Sequence, residues 1–142
     1  MSATGLTVFD TTVQTTNIWL DEIMEELNWN DRHRAYHALR AVLHTLRDHL
    51  AVDEVAQLSA QLPLLVRGAF FEGWRPAHKS IRERTEDQFV SHVSESFALD
   101  LSGTHPRQIT RAVLAVLERH VSRGESLSLK HVLPAGIRGL LD

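Results

Sequence analysis

The stretch of sequence that most clearly decides the fold is residues 31–50, which read DRHRAYHALRAVLHTLRDHL. Apolar residues recur along it at three- or four-residue intervals and form a single stripe: Ala35, Leu39, Val42, Leu43, Leu46 and Leu50. This spacing matches the 3.6-residue turn of an α-helix, and the side chain of Asn30 or Asp31 can cap its first turn. Residues 31–50 therefore predict an amphipathic helix that buries one face in a core.

Helical signals continue on both sides of this segment. Before it, the apolar spacing predicts a helix that ends at Leu27 and begins within residues 10–17, because β-branched residues weaken its start. Residues 1–9 are expected to form a loose arm from which Phe9 docks onto the core. After it, prolines suited to a first helical turn and a capping box at residues 85–88 predict further helices. The sequence therefore predicts an all-α fold.

The chain contains an internal repeat. Residues 62–68, LPLLVRG, match residues 133–139, LPAGIRG, at an offset of 71. The same offset, carried backward without gaps, aligns a series of further residues: Leu58 with Leu129, Glu54 with Glu125, His49 with His120, Leu46 with Leu117, Leu43 with Leu114, Val42 with Val113 and Arg40 with Arg111. This series, with its shared proline and glycine positions, predicts a duplicated unit of two long helices followed by two short ones.

The duplication sets the predicted domain organisation. The repeats span about residues 10–74 and 82–142, and residues 75–81 form the connector between them. Two copies are too few for an extended solenoid. We therefore expect them to pack about a pseudo-twofold axis into one compact helical domain that spans residues 1–142.

Several motifs of the first half are similar to those of one known family. They are FDTTVQTTNIWL at residues 9–20, EIMEEL at 22–27, LRAVLH at 39–44 and EGW at 72–74. With these motifs the chain resembles, over about residues 9–141, the domain of unknown function family 2267. The resemblance implies a small, all-helical bacterial protein. It implies no activity, substrate, cofactor or catalytic residue.

Composition excludes several classes of protein. A 142-residue chain with 43% apolar and 23% charged residues has the balance of one globular domain and not of a disordered chain. The absence of cysteine excludes disulfides, thiol nucleophiles and cysteine-based zinc sites. The formal net charge is −3 and no dense Lys/Arg run occurs, so no nucleic-acid partner is expected. With neither a membrane-spanning run nor a secretory signal, the protein is expected to be soluble and cytoplasmic, without a membrane partner.

Three histidines of the 31–50 helix, His33, His37 and His44, fall on one narrow stripe. The spacing of four between the first two suits chelation of a divalent metal. However, the glutamate of a His-Glu-x-x-His motif is missing, and Arg40 and Arg47 flank the stripe and would repel a cation. A solvated helix face is the favoured interpretation, so no metal or other cofactor is predicted.

Two further pairs of residues occupy equivalent positions in the repeat. His49 and His120 form either a shared site near the pseudo-twofold axis or, as we favour, separate bonds to backbone carbonyls where their helices end. Arg67 and Arg138 each precede a glycine. Each arginine suits one of two uses. It can clamp an anion, or its guanidinium can donate hydrogen bonds to loop carbonyls or to an acidic side chain, and we favour these hydrogen bonds.

An aromatic cluster follows the first of these arginines. Phe70, Phe71 and Trp74 place three of the nine aromatic residues within five positions. Such a cluster can line a ligand groove, anchor a partner protein or pack at the junction between the two halves. Packing at the junction is the favoured interpretation.

The sequence contains no phosphate loop, nucleotide-binding fingerprint or nucleophile elbow, and this motivates three functional hypotheses. The first is a non-enzymatic helical module that acts through protein–protein contacts, including formation of a homodimer. The second is a protein that binds a small ligand or metal through its histidines or its aromatic cluster. The third is an enzyme with an unrecognised site. Nine histidines, which would change the net charge from −3 to +6 if protonated, also predict a response of stability or association between about pH 7 and 5.

Overall fold

The predicted all-α class is confirmed in a computed structural model of the chain, which describes residues 2–77, 79–96 and 103–141. The described residues form no strand. They form eight α-helices and a closing 3-10 turn: α1 (Thr7–Leu27), α2 (Arg32–Asp48), α3 (Val52–Ser59), α4 (Leu64–Phe71), α5 (Glu86–Ser96), α6 (Pro106–His120), α7 (Arg123–Val132), α8 (Ala135–Arg138) and the turn Gly139–Leu141.

Four of these helices, α1, α2, α5 and α6, build the core. α2 and α6 pack against each other, and α1 and α5 each contact both of them. The largest fully buried side chains come mainly from these helices: Trp19, Ile23, Leu39, Leu43, Leu46, Phe89, Ile109, Leu114 and Leu117. Each side chain of this size stabilises the fold by about 1.5–3 kcal/mol through burial. Of the shorter elements, α4 packs against α1 and α2, α8 against α5, and the closing turn against α6.

The helix ends follow from local capping chemistry. The Asp31 side chain accepts a hydrogen bond from the Arg34 amide at 3.2 Å, so the predicted start of α2 is confirmed. Thr85 and Gln88 form the predicted capping box at the start of α5, because the Thr85 hydroxyl accepts from the Gln88 amide while Gln88 Oε1 accepts from the Thr85 amide.

The start of α1 differs from its prediction. The helix begins at Thr7, so the expected loose arm over residues 1–9 is wrong for its last three residues. Phe9 does not dock onto the core, since 44% of its surface is exposed. The Asp10 carboxylate accepts hydrogen bonds from the Thr4 amide and hydroxyl, at 3.0 and 2.7 Å, and so ties the preceding turn to the helix. These hydrogen bonds stabilise the first turn of the helix, which the β-branched residues alone would be expected to fray.

An extended segment joins the two halves. Residues 79–85, which we call the connector segment, overlap at their start with the predicted connector of residues 75–81. Within the segment, Ile81 and Glu83 are half-buried whereas Arg82 and Arg84 are exposed. The Ile81 amide donates to the Asp48 carbonyl at 2.7 Å and so holds the segment on the end of α2. A Cβ on Gly136 would lie 2.1 Å from the Arg84 carbonyl oxygen, so glycine is required where α8 meets this segment.

Candidate functional site

An apolar stripe along α1 extends beyond the core of the protein. It consists of six apolar residues and one threonine, spaced alternately by three and four positions as in a heptad repeat, and it begins at the N-cap residue: Leu6, Phe9, Val13, Thr16, Leu20, Ile23 and Leu27. The second half of the stripe, Leu20 to Leu27, is buried against the core. The first half remains exposed, with 52%, 44% and 39% of the surface of Leu6, Phe9 and Val13 accessible. We call these three residues the N-terminal seam.

A groove of about 540 Å³ lies beside the seam, between α1 and the start of α4. Val8, Thr11, Thr12 and Thr15 line it on one side, and residues 61–64 line it on the other. The Thr12 hydroxyl accepts a hydrogen bond from the Leu65 amide at 3.1 Å, which fixes α4 against α1. The leucines at the start of α4, Leu64 and Leu65, are themselves exposed. A projecting ridge and a recess are therefore neighbours on one largely apolar surface.

This surface carries almost no charge. Asp10 is the only charged residue between positions 6 and 18. Its carboxylate is engaged by the Ser2 and Thr4 hydroxyls and the Thr4 amide, and these hydrogen bonds lower the pKa of Asp10 below its ordinary value. An exposed helix of this kind ordinarily has a charged outer face. An exposed apolar face is typical of a surface that contacts another protein, a membrane or a ligand.

The aromatic cluster packs within the chain. Phe70 is fully buried, and Phe71 and Trp74 pack against the core from outside, with ring centroids 5.3 Å apart. Trp74 also lines a groove of about 390 Å³ with Arg75, Lys79 and other residues at the end of α2 and the start of the connector segment. Most of the aromatic surface is therefore used in packing.

The three histidines of α2 do not act together. His33 and His37 are exposed neighbours whose Nε2 atoms lie 3.0 Å apart, so one nitrogen donates to the other. His44 is half-buried, and its Nε2 lies 2.6 Å from the Ala69 carbonyl oxygen, to which it must donate. Within residues 2–77, 79–96 and 103–141, no group of three or more histidine or carboxylate side chains is arranged to hold a metal ion.

The repeat-matched arginines have the same partner in each half. Arg67 Nη2 donates to the Leu62 carbonyl at 2.9 Å, and Arg138 Nη2 donates to the Leu133 carbonyl at 3.1 Å. Arg67 also donates from Nε to the Ser59 carbonyl. Both guanidinium groups thus donate hydrogen bonds to the loop before their helix, which is the use favoured from the sequence. Fewer of their N–H groups are then available to bind an anion.

The repeat-matched histidines each contact an aromatic ring of the other half, with His120 stacked on Trp19 and His49 tilted against Phe89. His49 lies 5.0 Å from the Phe89 ring, and His120 lies 4.8 Å from the Trp19 ring. His49 Nδ1 donates to the Thr45 carbonyl at 2.7 Å, as favoured, whereas the partner of His120 Nε2 is the Glu22 carboxylate at 2.7 Å. In the described part of the chain no contact joins the two histidines, so the structure does not bring them into a shared site.

Comparison with protein-family models identifies the chain. The model of the uncharacterized conserved protein family DUF2267 matches residues 16–140. The chain belongs to this family. The search of the curated proteins found no match. The DUF2267 match covers the core helices of both halves and starts after the N-terminal seam.

Two features of this DUF2267 chain were missed by the sequence reasoning. One is the exposure of the N-terminal seam, for which the heptad spacing from Leu6 was an available signal. The other is a cluster in which Glu83 lies between His49 and His92, at 3.0 and 2.8 Å from their Nε2 atoms. Nothing in residue spacing predicts that cluster, because its carboxylate comes from an irregular segment.

A further groove of about 940 Å³ lies along α6 and the closing turn. Three arginines line it, and each is paired with carboxylates of the chain: Arg107 with Glu86 and Asp87, Arg111 with Glu86, and Arg119 with Glu26. Each of these three guanidinium groups therefore has a carboxylate of the chain beside it. No helix formed by the described residues has both the length and the apolar composition needed to cross a bilayer.

Proposed function

We propose that this chain is a non-enzymatic helical interaction module whose partner is a second copy of itself, bound through the N-terminal seam. The observation that carries the proposal is the heptad stripe of α1, because one half of it is buried in the protein's own core and the other half is exposed. In a heptad interface, side chains at these positions insert between residues of a facing helix. The exposed half therefore has the form of one side of a helix–helix contact.

A second copy fits this surface because the surface is complementary to itself. A twofold dimer contact uses the same patch on both subunits, so the patch must offer both a projection and a recess. Phe9 and Val13 supply the projection, and the 540 Å³ groove beside them supplies the recess. Two copies related by a twofold axis can each place the seam against the other's groove.

Charge favours the same arrangement. Two copies that each carry a net charge of −3 repel one another at pH 7. The uncharged stretch around the seam is where they approach with the least repulsion. It also offers nothing to the phosphates of a nucleic acid, which require a basic surface.

Cysteine cross-linking tests this proposal, because the natural chain contains no cysteine. A Val13→Cys variant treated with a short bis-maleimide is expected to give covalent dimers at micromolar concentration. Leu127→Cys is the matched control, since Leu127 is exposed to 57% and lies on a different helix, α7. Equal dimer yields from the two variants, or no dimer from Val13→Cys, would show that the seam is not the contact.

We also infer that the single domain of residues 1–142 arose by duplication of a unit now at about residues 10–74 and 82–142, joined by residues 75–81. The helix contacts support this. If the halves are exchanged, α1 takes the place of α5 and α2 takes the place of α6. The α1–α2 contact then corresponds to α5–α6, the α1–α6 contact corresponds to α5–α2, and the α2–α6 contact corresponds to itself. The hydrogen bonds of the paired arginines follow the same exchange. So do the ring contacts of His49 with Phe89 and of His120 with Trp19.

A further inference from the structure

The cluster around Glu83 joins the connector segment to two helices. Glu83 Oε1 lies 3.0 Å from His49 Nε2, at the end of α2, and Oε2 lies 2.8 Å from His92 Nε2 on α5. The His49 side chain is 1% exposed, whereas Glu83 and His92 are reachable from solvent. The ring of Phe89 covers His49 at a centroid distance of 5.0 Å.

Both ring nitrogens of His49 face oxygen atoms that accept hydrogen bonds. Its Nδ1 lies 2.7 Å from the Thr45 carbonyl oxygen, which can only accept. Its Nε2 faces Glu83 Oε1, and an ionised carboxylate can also only accept. Complete pairing therefore needs one proton more than a neutral histidine and an ionised glutamate carry between them. That proton lies either on His49 Nε2 or on the Glu83 carboxyl.

The charged groups around the cluster leave this requirement in place. A proton on His92 Nε2 satisfies Glu83 Oε2 whether or not the ring carries a second proton, and the Glu95 carboxylate lies 4.0 Å from its Nδ1. On α2, Arg47 and Asp48 are paired with each other at 2.9 Å. In the connector segment, Arg82 and Arg84 are exposed on either side of Glu83.

We propose that His49, Glu83 and His92 form a proton-dependent latch that holds the connector segment on α2 and α5. With the extra proton present, His49 and Glu83 form a charge-assisted hydrogen bond, which is stronger than a neutral one. When the proton leaves, the ring keeps a single N–H, so a nitrogen lone pair faces either the Thr45 carbonyl or the Glu83 carboxylate. In both tautomers the attraction between an imidazolium and a carboxylate is lost. The segment is then held less firmly, and the bond from the Ile81 amide to the Asp48 carbonyl opens more often.

The equivalent histidine of the second half lacks this requirement. His120 Nε2 lies 2.7 Å from Glu22 Oε2, and no hydrogen bond joins its Nδ1 to the described residues. A neutral ring with its proton on Nε2 satisfies that contact. His120 is therefore the matched control for His49.

Amide hydrogen exchange at Ile81 tests the latch in the full-length protein. Histidines ordinarily titrate near pH 6.5, so protection factors are compared at pH 6 and pH 8 after correction for intrinsic exchange. In the natural protein we expect the Ile81 protection factor to fall at least about tenfold at pH 8, the scale of one charge-assisted hydrogen bond. The amide of Leu114, inside α6, is expected to change much less, which separates local opening from global unfolding. His120→Gln is expected to leave the fall at Ile81 unchanged.

A Glu83→Gln variant gives the sharpest result. Its side-chain amide donates to a neutral His49 and its carbonyl oxygen accepts from His92, so the latch is complete without the extra proton. We therefore expect Ile81 in this variant to be as protected at pH 8 as at pH 6. A natural protein whose Ile81 protection is equal at both pH values, or a Glu83→Gln variant that keeps the full fall at pH 8, would overturn the proposal.

Discussion

Among single residues, His44 shows how burial decides the response of this chain to protons. Its Nε2 donates to the Ala69 carbonyl, and its ring is half-buried between α2 and α4. Burial lowers the pKa of His44 below the ordinary 6.5, and the nearby Arg47 and Arg40 act in the same direction. The carbonyl contact and Asp48 raise the pKa, but by less. His44 is therefore held as a neutral ring with its proton on Nε2.

This environment fixes the sign of one contribution to stability. Below about pH 6.5 the unfolded chain protonates His44 more readily than the folded chain does, so His44 makes the free energy of unfolding fall as the solution is acidified. A His44→Gln variant can still donate to the Ala69 carbonyl, so we expect its stability at pH 7.5 to lie within about 1 kcal/mol of the natural protein. Urea unfolding at pH 7.5 and 5.5 should show a smaller loss on acidification in the variant. An equal loss in both proteins would refute this role for His44.

At the scale of the helices, the sequence predicts best those elements whose signals are local. α2 has an apolar stripe and a capping side chain within its own residues, and both lie where the sequence predicts them. The start of α1 depends on hydrogen bonds from Ser2 and Thr4 to Asp10, which propensity alone does not include. The contact of Glu83 with His49 and His92 depends on the path of the connector segment, so no spacing rule reaches it.

The two central helices allow a direct test of the predicted equivalence of the halves. Leu43 on α2 and Leu114 on α6 are both buried, at matched positions of the repeat. We expect Leu43→Ala and Leu114→Ala each to lower the free energy of unfolding by about 2–5 kcal/mol, because each leaves a cavity in the core. Chemical denaturation measures both values. A severe loss in one variant with no loss in the other would contradict the equivalence at this position.

At the scale of the whole molecule, buried side chains find their contact partners within the chain, whereas the N-terminal seam is left exposed. The core is closed by contacts between the two halves, and the guanidinium groups of Arg67 and Arg138 bond to the chain's own carbonyls. The N-terminal seam is different, because its three apolar side chains lie at the start of α1, beyond the core, and are exposed. The proposed partner at this seam is a second copy of the chain.

The molecular mass in solution tests this central claim most directly. Sedimentation equilibrium at micromolar concentration and pH 7.5 is expected to give the natural protein twice the 16.1 kDa mass of the chain. A Phe9→Glu/Val13→Glu variant would bury two unpaired carboxylates in the uncharged groove of the other copy, which is unfavourable, so it should sediment as a monomer with unchanged helicity. Leu127→Glu, the control on α7, should remain a dimer. A natural protein that is monomeric under these conditions, or a seam variant that dimerises as well as the control, would contradict the account.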